Sequence, residues 1–364
     1  MSDLGWNPLH GVPSYPAERY AALADRIGGI LRSRNDILLV QAEAVVALEA
    51  VAASLARPGL TALNIVTSPY GTWFGQWLRR GGATVADIVA EPGRPVEIEA
   101  VVKALDASPR IDVLALVHAE SASGILNPLP DILGLARAGG IVTVVDAVAS
   151  LGGHELDVDD LGIDIAVIGP QKALGGPAGV SALSVSPSAW NLILRDGAPR
   201  DSILSLADLK TWVDGNRRGL PGTPAPLEFF ALETALDRIE AEGLENVVAR
   251  HTLAASATRA GLAALGAPVW VPAAKASNLV TAVPVPETLE PASLIEAAGW
   301  LGVEITAGVG AGSAHLLRLN HTGPRAAFQT VLSNVVAYGT ALRQAGHPAD
   351  IAAASEAISA AYSR

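Results

Sequence analysis

The stretch DIAVIGPQKALGGPAG, residues 164–179, decides how the chain is read. Five of the six residues Asp164–Gly169 suit a buried strand, and Lys172 follows at once, hemmed in by Pro170, Gly175, Gly176 and Pro177. Lysine is among the side chains least often buried. One placed where an apolar strand breaks into a glycine-rich turn therefore calls for a chemical explanation.

Outward from this stretch, short apolar runs alternate with helical patterns. DILLV (36–40), ALNIVTS (62–68), TVADIVA (84–90), IDVLALVH (111–118), IVTVVDA (141–147), IDIAVIG (163–169) and GVSALSVS (179–186) read as strands. AVVALEAVAASLA (44–56), GTWFGQWLRR (71–80), VEIEAVVKAL (96–105) and LPDILGLARA (129–138) read as the helices between them. Continuous β-branched runs separated by helical spacers predict an α/β fold with a mainly parallel, seven-stranded sheet buried on both faces. After the long helical stretch 225–266 the pattern changes. APVWV (267–271), SNLVTAVPVP (277–286), GVEITAGV (302–309) and HLLRLNH (315–321) read as strands of a smaller C-terminal α+β domain, and 348–364 as a last helix or a frayed tail. The expected division is an N-terminal arm at 1–14, a large domain at 15–245 and a small domain at 246–364.

Composition narrows the function. Half of the 364 residues are hydrophobic and 17% are charged, which suits a sizeable core. The net charge of −11, without a basic run, disfavours nucleic acid and leaves small molecules as the expected partners. The absence of cysteine excludes disulfides, thiolate metal sites and cysteine nucleophiles. Neither a secretory signal nor a membrane-spanning run is read, so the expected location is cytoplasmic, away from membranes. The seven histidines lack ligand spacing, and no metal site is expected. GVGAG (308–312) lacks the third glycine and the βαβ context of a dinucleotide site. Glu120 beside His118 and Ser121 has no G-x-S-x-G elbow to make it a hydrolase.

In open α/β sheets, ligands bind beyond the carboxyl ends of the strands. Here those ends carry Tyr70, then His118, Glu120, Ser121 and Ser123, then Asp146, then Gln171 and Lys172. A desolvated lysine has a lowered pKa and becomes an amine nucleophile. An acid near such a lysine is equally what an ion pair would give. The chemical reading is an imine between Lys172 and a pyridoxal ring. It needs a carboxylate for the ring nitrogen, a flat group to stack on the ring and a hydroxyl for the ring oxygen. Asp146, Tyr70 and Ser121 are the matching residue types.

HAESASGILNP (118–128), VVDAVASLGG (144–153) and GIDIAVIGPQKALGGPAG (162–179) resemble the class V aminotransferases of pyridoxal-phosphate fold type I, with Asp146 and Lys172 at that family's spacing of 26 positions. The resemblance runs from residue 15 to about 345. It implies an aminotransferase moving an amino group from a small amine to a small 2-oxo acid, pyruvate or glyoxylate, in a homodimer or larger homo-oligomer. It further implies that Lys172 forms the imine and shuttles the proton. Asp146 pairs with the ring nitrogen, Tyr70 stacks on the ring, and Ser121 lies near its 3-hydroxyl. Gln171 reaches the phosphate region, as does Thr223 from the neighbouring subunit, and Arg318 holds the substrate carboxylate with its fork of donors. Cysteine desulfurases of the same class need a cysteine this chain lacks. A silent pyridoxal-binding protein on the same fold is the non-enzymatic alternative; the joint presence of Lys172, Asp146 and Arg318 argues against it.

QAEAVVALEA (41–50) departs from phosphate-using relatives, whose loop here is rich in glycine, serine or threonine and opens a helix that receives the phosphate. Gln41, Ala42, Glu43, Ala44 and Val45 stand there instead. Acidic residues favour a helix's first turn in any case. The sharper reading is that Glu43, at the head of the loop that includes Ala44 and Val45, replaces the phosphate. Two like charges about 4 Å apart at an effective dielectric near 20 repel by roughly 4 kcal/mol. AEAVVALEAVAASL, YGTWFGQWLRR, ARHTLAASATRAGLAALG and NHTGP are more similar to the branch of the family that takes unphosphorylated pyridoxamine and pyridoxal as substrates than to the alanine–glyoxylate branch. The implied reagent is thus either pyridoxamine, with pyruvate as acceptor, or an amino acid such as alanine or serine with bound pyridoxal 5'-phosphate. Two departures stand out. That branch has a second arginine where Val309 stands, which His315 or His321 could replace. The segment before YPAERYAALADRI is also short, so either the site is opened or Trp6 and His10 fill part of its place.

Overall fold

The computed structural model describes residues 11–108, 110–220 and 222–363. Trp6 and His10, and most of the N-terminal arm, lie outside them. The strands of the first sheet are β1 (Asp36–Val40), β2 (Thr61–Val66), β3 (Thr84–Val89), β4 (Val113–Val117), β5 (Val142–Asp146), β6 (Ile165–Ile168) and β7 (Ser181–Val185). They lie in the order β1-β7-β6-β5-β4-β2-β3. Only β7 runs against its neighbours, pairing antiparallel with β1 and with β6. The fold is the α/β, mainly parallel, seven-stranded arrangement that the sequence predicts.

Side chains alternate across a strand, and the alternation here feeds two cores. Ile37, Leu39, Leu114 and Leu116 join one apolar cluster, while Leu38, Val40, Val113 and Ala115 join the other. The helices covering the faces are α1 (Arg19–Ile30), α2 (Ala44–Leu55), α3 (Pro69–Arg80), α4 (Ile98–Asp106), α5 (Leu129–Ala138), α6 (Val158–Leu161), α7 (Pro187–Ile193), α8 (Leu206–Asp214) and α9 (Pro226–Glu242). β4, β5, β6 and β7 are buried along their whole length. That is why they read as unbroken apolar runs.

The rest of the chain forms α10 (Leu244–Leu265), β8 (Val280–Pro284), α11 (Pro291–Trp300), β9 (Thr306–Ala307), β10 (Leu316–Asn320), α12 (Phe328–Gln344) and α13 (Ile351–Tyr362). β8, β10 and β9 make a three-stranded antiparallel sheet with its own apolar cluster. Two expected strands differ. APVWV forms none: Pro268 within it and Pro272 just after it lack backbone donors, and Trp270 N–H gives a single 2.9 Å bond to the Ala282 carbonyl. GVEITAGV contributes only the two residues of β9, because Gly308, Gly310 and Gly312 turn the chain back.

Two close approaches join the sheets beside Lys172. The turn after β4 closes with Glu120 N–H on the Ile125 carbonyl and Gly124 N–H on that of Glu120. Gly124 has φ 77°, and a Cβ there would stand 2.8 Å from the Val280 carbonyl of β8. Gly323 (φ 60°) likewise leaves no room for a Cβ against the Lys172 carbonyl, 2.8 Å away.

Candidate active site

A cavity opens beyond the carboxyl ends of β2, β4, β5 and β6, where the sheet order places the Tyr70, Ser121, Asp146 and Lys172 segments side by side. Lys172 Nζ points at Ser121 Oγ, 3.4 Å away. Burial, and then the Arg318 charge, depress the lysine's pKa, while Glu43 and Asp146 act against that. Asp146 Oδ1 accepts from Val148 N–H at 2.9 Å. Burial pushes its carboxyl up to about 6, with the Val148 N–H and Lys172 opposing. Tyr70 follows the Ser68 cap of α3, its N–H 3.3 Å from Ser68 Oγ, and its ring meets Trp73 edge-on.

At the near end of α2, Glu43 is the helix cap. One carboxylate oxygen accepts from Val45 N–H at 2.8 Å and the other from Gln171 Nε2 at 2.7 Å. Ala44 and Val45 line the same wall. A helix N-terminus is an anion site by virtue of its free N–H groups and dipole. Here the chain's own carboxylate occupies it.

At the far end, Arg318 on β10 gives Nε–H to the Ala307 carbonyl and Nη1–H to the Ser121 carbonyl, both at 2.8 Å. Among the described residues no carboxylate pairs with it, and burial lowers its pKa. Thr223 is not brought to Lys172 of its own chain. It is exposed and lines a separate cavity of about 480 Å³ with Gln41 and the exposed Ile203. Val309 is exposed on the β9–β10 hairpin, where a second cation was at issue. His315 is exposed too, whereas His321 is fully buried against Thr281 and pushed down to about 3 by burial, so it supplies no positive charge.

Glu120, among the polar residues at the strand ends but without a role in the resemblance, also belongs to the cavity. Its side chain is wholly buried and lines the cavity. The available signal was a glutamate directly after the apolar β4.

The match to the family model for class-V aminotransferases spans residues 19–331, and the chain belongs to that family. It is an aminotransferase. Pyridoxamine–pyruvate transaminase of Mesorhizobium japonicum is 35% identical over 342 residues, 93% of this chain and 86% of the relative. Alanine–glyoxylate aminotransferase of Callithrix jacchus is 33% identical over 312 residues, covering 83% and 74%. The crystal structure of pyridoxamine–pyruvate aminotransferase from Mesorhizobium loti superposes with a TM-score of 0.91 at 34% identity, covering 95% of this chain and 89% of that one. Class V aminotransferases of this fold use pyridoxal phosphate.

Proposed function

We propose that this aminotransferase moves an amino group to a small 2-oxo acid, pyruvate or glyoxylate, and that its amine donor is unphosphorylated pyridoxamine. The observation that carries the choice of donor is the Glu43 carboxylate capping α2 with Val45 N–H and Gln171 Nε2 as its partners. Those are the donors a phosphate would use, so the residues fit a pyridoxal-type ring without its phosphate.

When bound, such a ring supplies an electron sink for the carbon that gains or loses the amine. The chain's part is to hold, orient and move protons. Lys172, its pKa depressed by burial, is the amine that links to an aldehyde and, when free, the base that carries a proton. Asp146 would keep the ring nitrogen protonated. Tyr70 supplies a face for stacking, and Ser121, already within reach of Lys172, supplies a hydroxyl. Arg318 has its Nε and one Nη tied to carbonyls, so it is aimed in advance and loses little freedom on taking a carboxylate.

The same reading takes residues 15–245 as the large ring-binding domain and 246–364 as the small one, supported by their separate apolar clusters. It makes the protein a cytoplasmic homodimer in which Thr223 serves the partner's site. The exposure of Thr223, and of Ile203 across the same cavity, supports that. Among the described residues no helix is long and apolar enough to cross a membrane.

The test is titration with pyridoxal and, separately, with pyridoxal phosphate, followed by absorbance. Assay of pyridoxal release from pyridoxamine with pyruvate or glyoxylate completes it. Tight covalent uptake of pyridoxal alone is expected. Tight uptake of the phosphate ester alone would return the protein to conventional amino-acid transamination.

A further inference from the structure

The geometry points to Glu120 as a positioning residue of this site: it ties the turn that carries Tyr70 to the turn that carries Ser121, and it presents a second oxygen to the small molecule in the Lys172 cavity. The inference rests on the reading of that cavity as the pyridoxal site.

Hydrogen-bond bookkeeping fixes the orientation. Asn127 takes Val96 N–H on its Oδ1 at 3.0 Å and gives its Nδ2 hydrogens to the Val117 carbonyl at 2.8 Å and Thr67 Oγ1 at 2.9 Å. The Thr67 hydroxyl is therefore an acceptor toward Asn127 and spends its own hydrogen on Glu120 Oε1, 2.5 Å away. Glu120 Oε1 accepts, so a proton on this carboxyl sits on Oε2. The Ser68 hydroxyl stands close to this carboxyl as a further donor, yet Oε2 is buried and makes no hydrogen bond of normal geometry among the described residues, and its side chain lines the Lys172 cavity. A buried polar atom without a partner costs free energy unless something completes it.

The chain of contacts runs through the whole site. Thr67 adjoins Ser68, whose Oγ caps Tyr70 N–H. Glu120 adjoins Ser121, whose hydroxyl receives Lys172 and whose carbonyl receives Arg318. Glu120 and Asn127 together thus link the end of β2 to the end of β4, and of the two only Glu120 lines the Lys172 cavity.

Protonation follows from the surroundings. Burial pushes the carboxyl up to about 7, the Ser68 and Thr67 hydroxyls oppose, and Asp146 adds to the rise. The other charged groups on the cavity are Glu43 from α2 and Lys172 after β6, with Arg318 reaching in from β10; Tyr70 on α3 is the remaining titratable one. In the neutral acid Oε2 is a hydrogen-bond donor. Ionised, it is an acceptor that sets a second negative charge beside Asp146.

Glu120→Gln keeps an acceptor for Thr67 and a permanent donor at the other position. The test compares pyridoxal affinity of the wild type and this variant from pH 5.5 to 8.5 by absorbance, alongside the infrared carbonyl band of protonated carboxyls in the ligand-free proteins. Comparing ratios at each pH removes the titration of Lys172, which both proteins share. Expected are equal affinities at low pH, a wild type about tenfold weaker than the variant at the alkaline end, and loss of one carboxyl band in the variant. Glu120→Ala, with its melting temperature measured, is expected to bind about tenfold less tightly at every pH. Superimposed pH profiles for the wild type and Glu120→Gln would overturn the proposal, as would a folded Glu120→Ala that binds like the wild type. No covalent uptake of pyridoxal by the wild type would instead bring down the underlying reading and this proposal with it.

Discussion

At the α2 end of the Lys172 cavity a carboxylate of the chain caps the helix, whereas at the β10 end a guanidinium faces backbone carbonyls and, among the described residues, pairs with no carboxylate. One end brings its own anion and the other leaves room for one. A ligand that obeys both carries negative charge toward Arg318 and none toward Glu43. The contrast also separates two kinds of selectivity: exclusion by like charge near Glu43, and recruitment by a pre-aimed donor fork at Arg318.

Lys172 stands between the two ends, and its removal makes the largest break. Lys172→Ala should abolish covalent uptake of pyridoxal and lower amino transfer by on the order of a millionfold, read by absorbance and by single-turnover assay. Next comes Glu43→Gly, which frees Val45 N–H and Gln171 Nε2 for a phosphate. The preference between pyridoxal phosphate and pyridoxal should move toward the phosphate ester by on the order of a thousandfold. If the two affinities keep their ratio, Glu43 is merely a helix cap, and only the loss of roughly a few tenths of a kcal/mol expected when glycine replaces a cap should remain.

Arg318→Ala should reduce kcat/KM for the 2-oxo acid by on the order of a hundredfold while leaving pyridoxal affinity within a few-fold. Arg318→Lys should recover little, since an ammonium cannot hold two carbonyls and a carboxylate with one planar fork. Equal losses for the ring and for the oxo acid would erase the distinction between the ends.

The smallest effect concerns how the two sheets are held together under acid. His154 Nε2 accepts from Asn278 N–H at 3.1 Å, and His251 Nε2 accepts from Gly323 N–H at 2.8 Å. Burial lowers both imidazoles from 6.5 to about 4, and His118 and His321 to about 3. Folded values below unfolded ones mean that the unfolded chain takes up protons first. The contribution of these histidines is complete above pH 6.5 and is lost as the pH falls toward 4. Asp146 and Glu120, raised to about 6 and about 7, act in the opposite direction, but they are two groups against four. Melting temperature should therefore fall between pH 6.5 and 4, and His154→Gln with His251→Gln should flatten that slope.

The large sheet was legible because its central strands are buried on both faces, leaving apolar runs that only turns interrupt. The strand ends then announced their polar residues one after another: Tyr70, Ser121, Asp146, Lys172. What stayed hidden depends on distant partners. Glu43 could be read as a cap or as an anion, but its bond to Gln171, 128 positions away, exists only in three dimensions. His321 looked available beside Arg318, yet the packing of β8 and β10 seals it against Thr281. Apolar composition misled at APVWV, where two prolines remove the donors that a ladder needs.

The carboxylate at the start of α2 bears on how long a ring stays. A phosphate gripped by free helix N–H groups would anchor a ring in such a site. A site whose helix end is already occupied lacks that handle, so on the proposed reading a ring would be free to leave once its bond to Lys172 opened. The proposed function thereby makes the ring a passenger, one per cycle, and predicts that the purified protein comes off a column colourless.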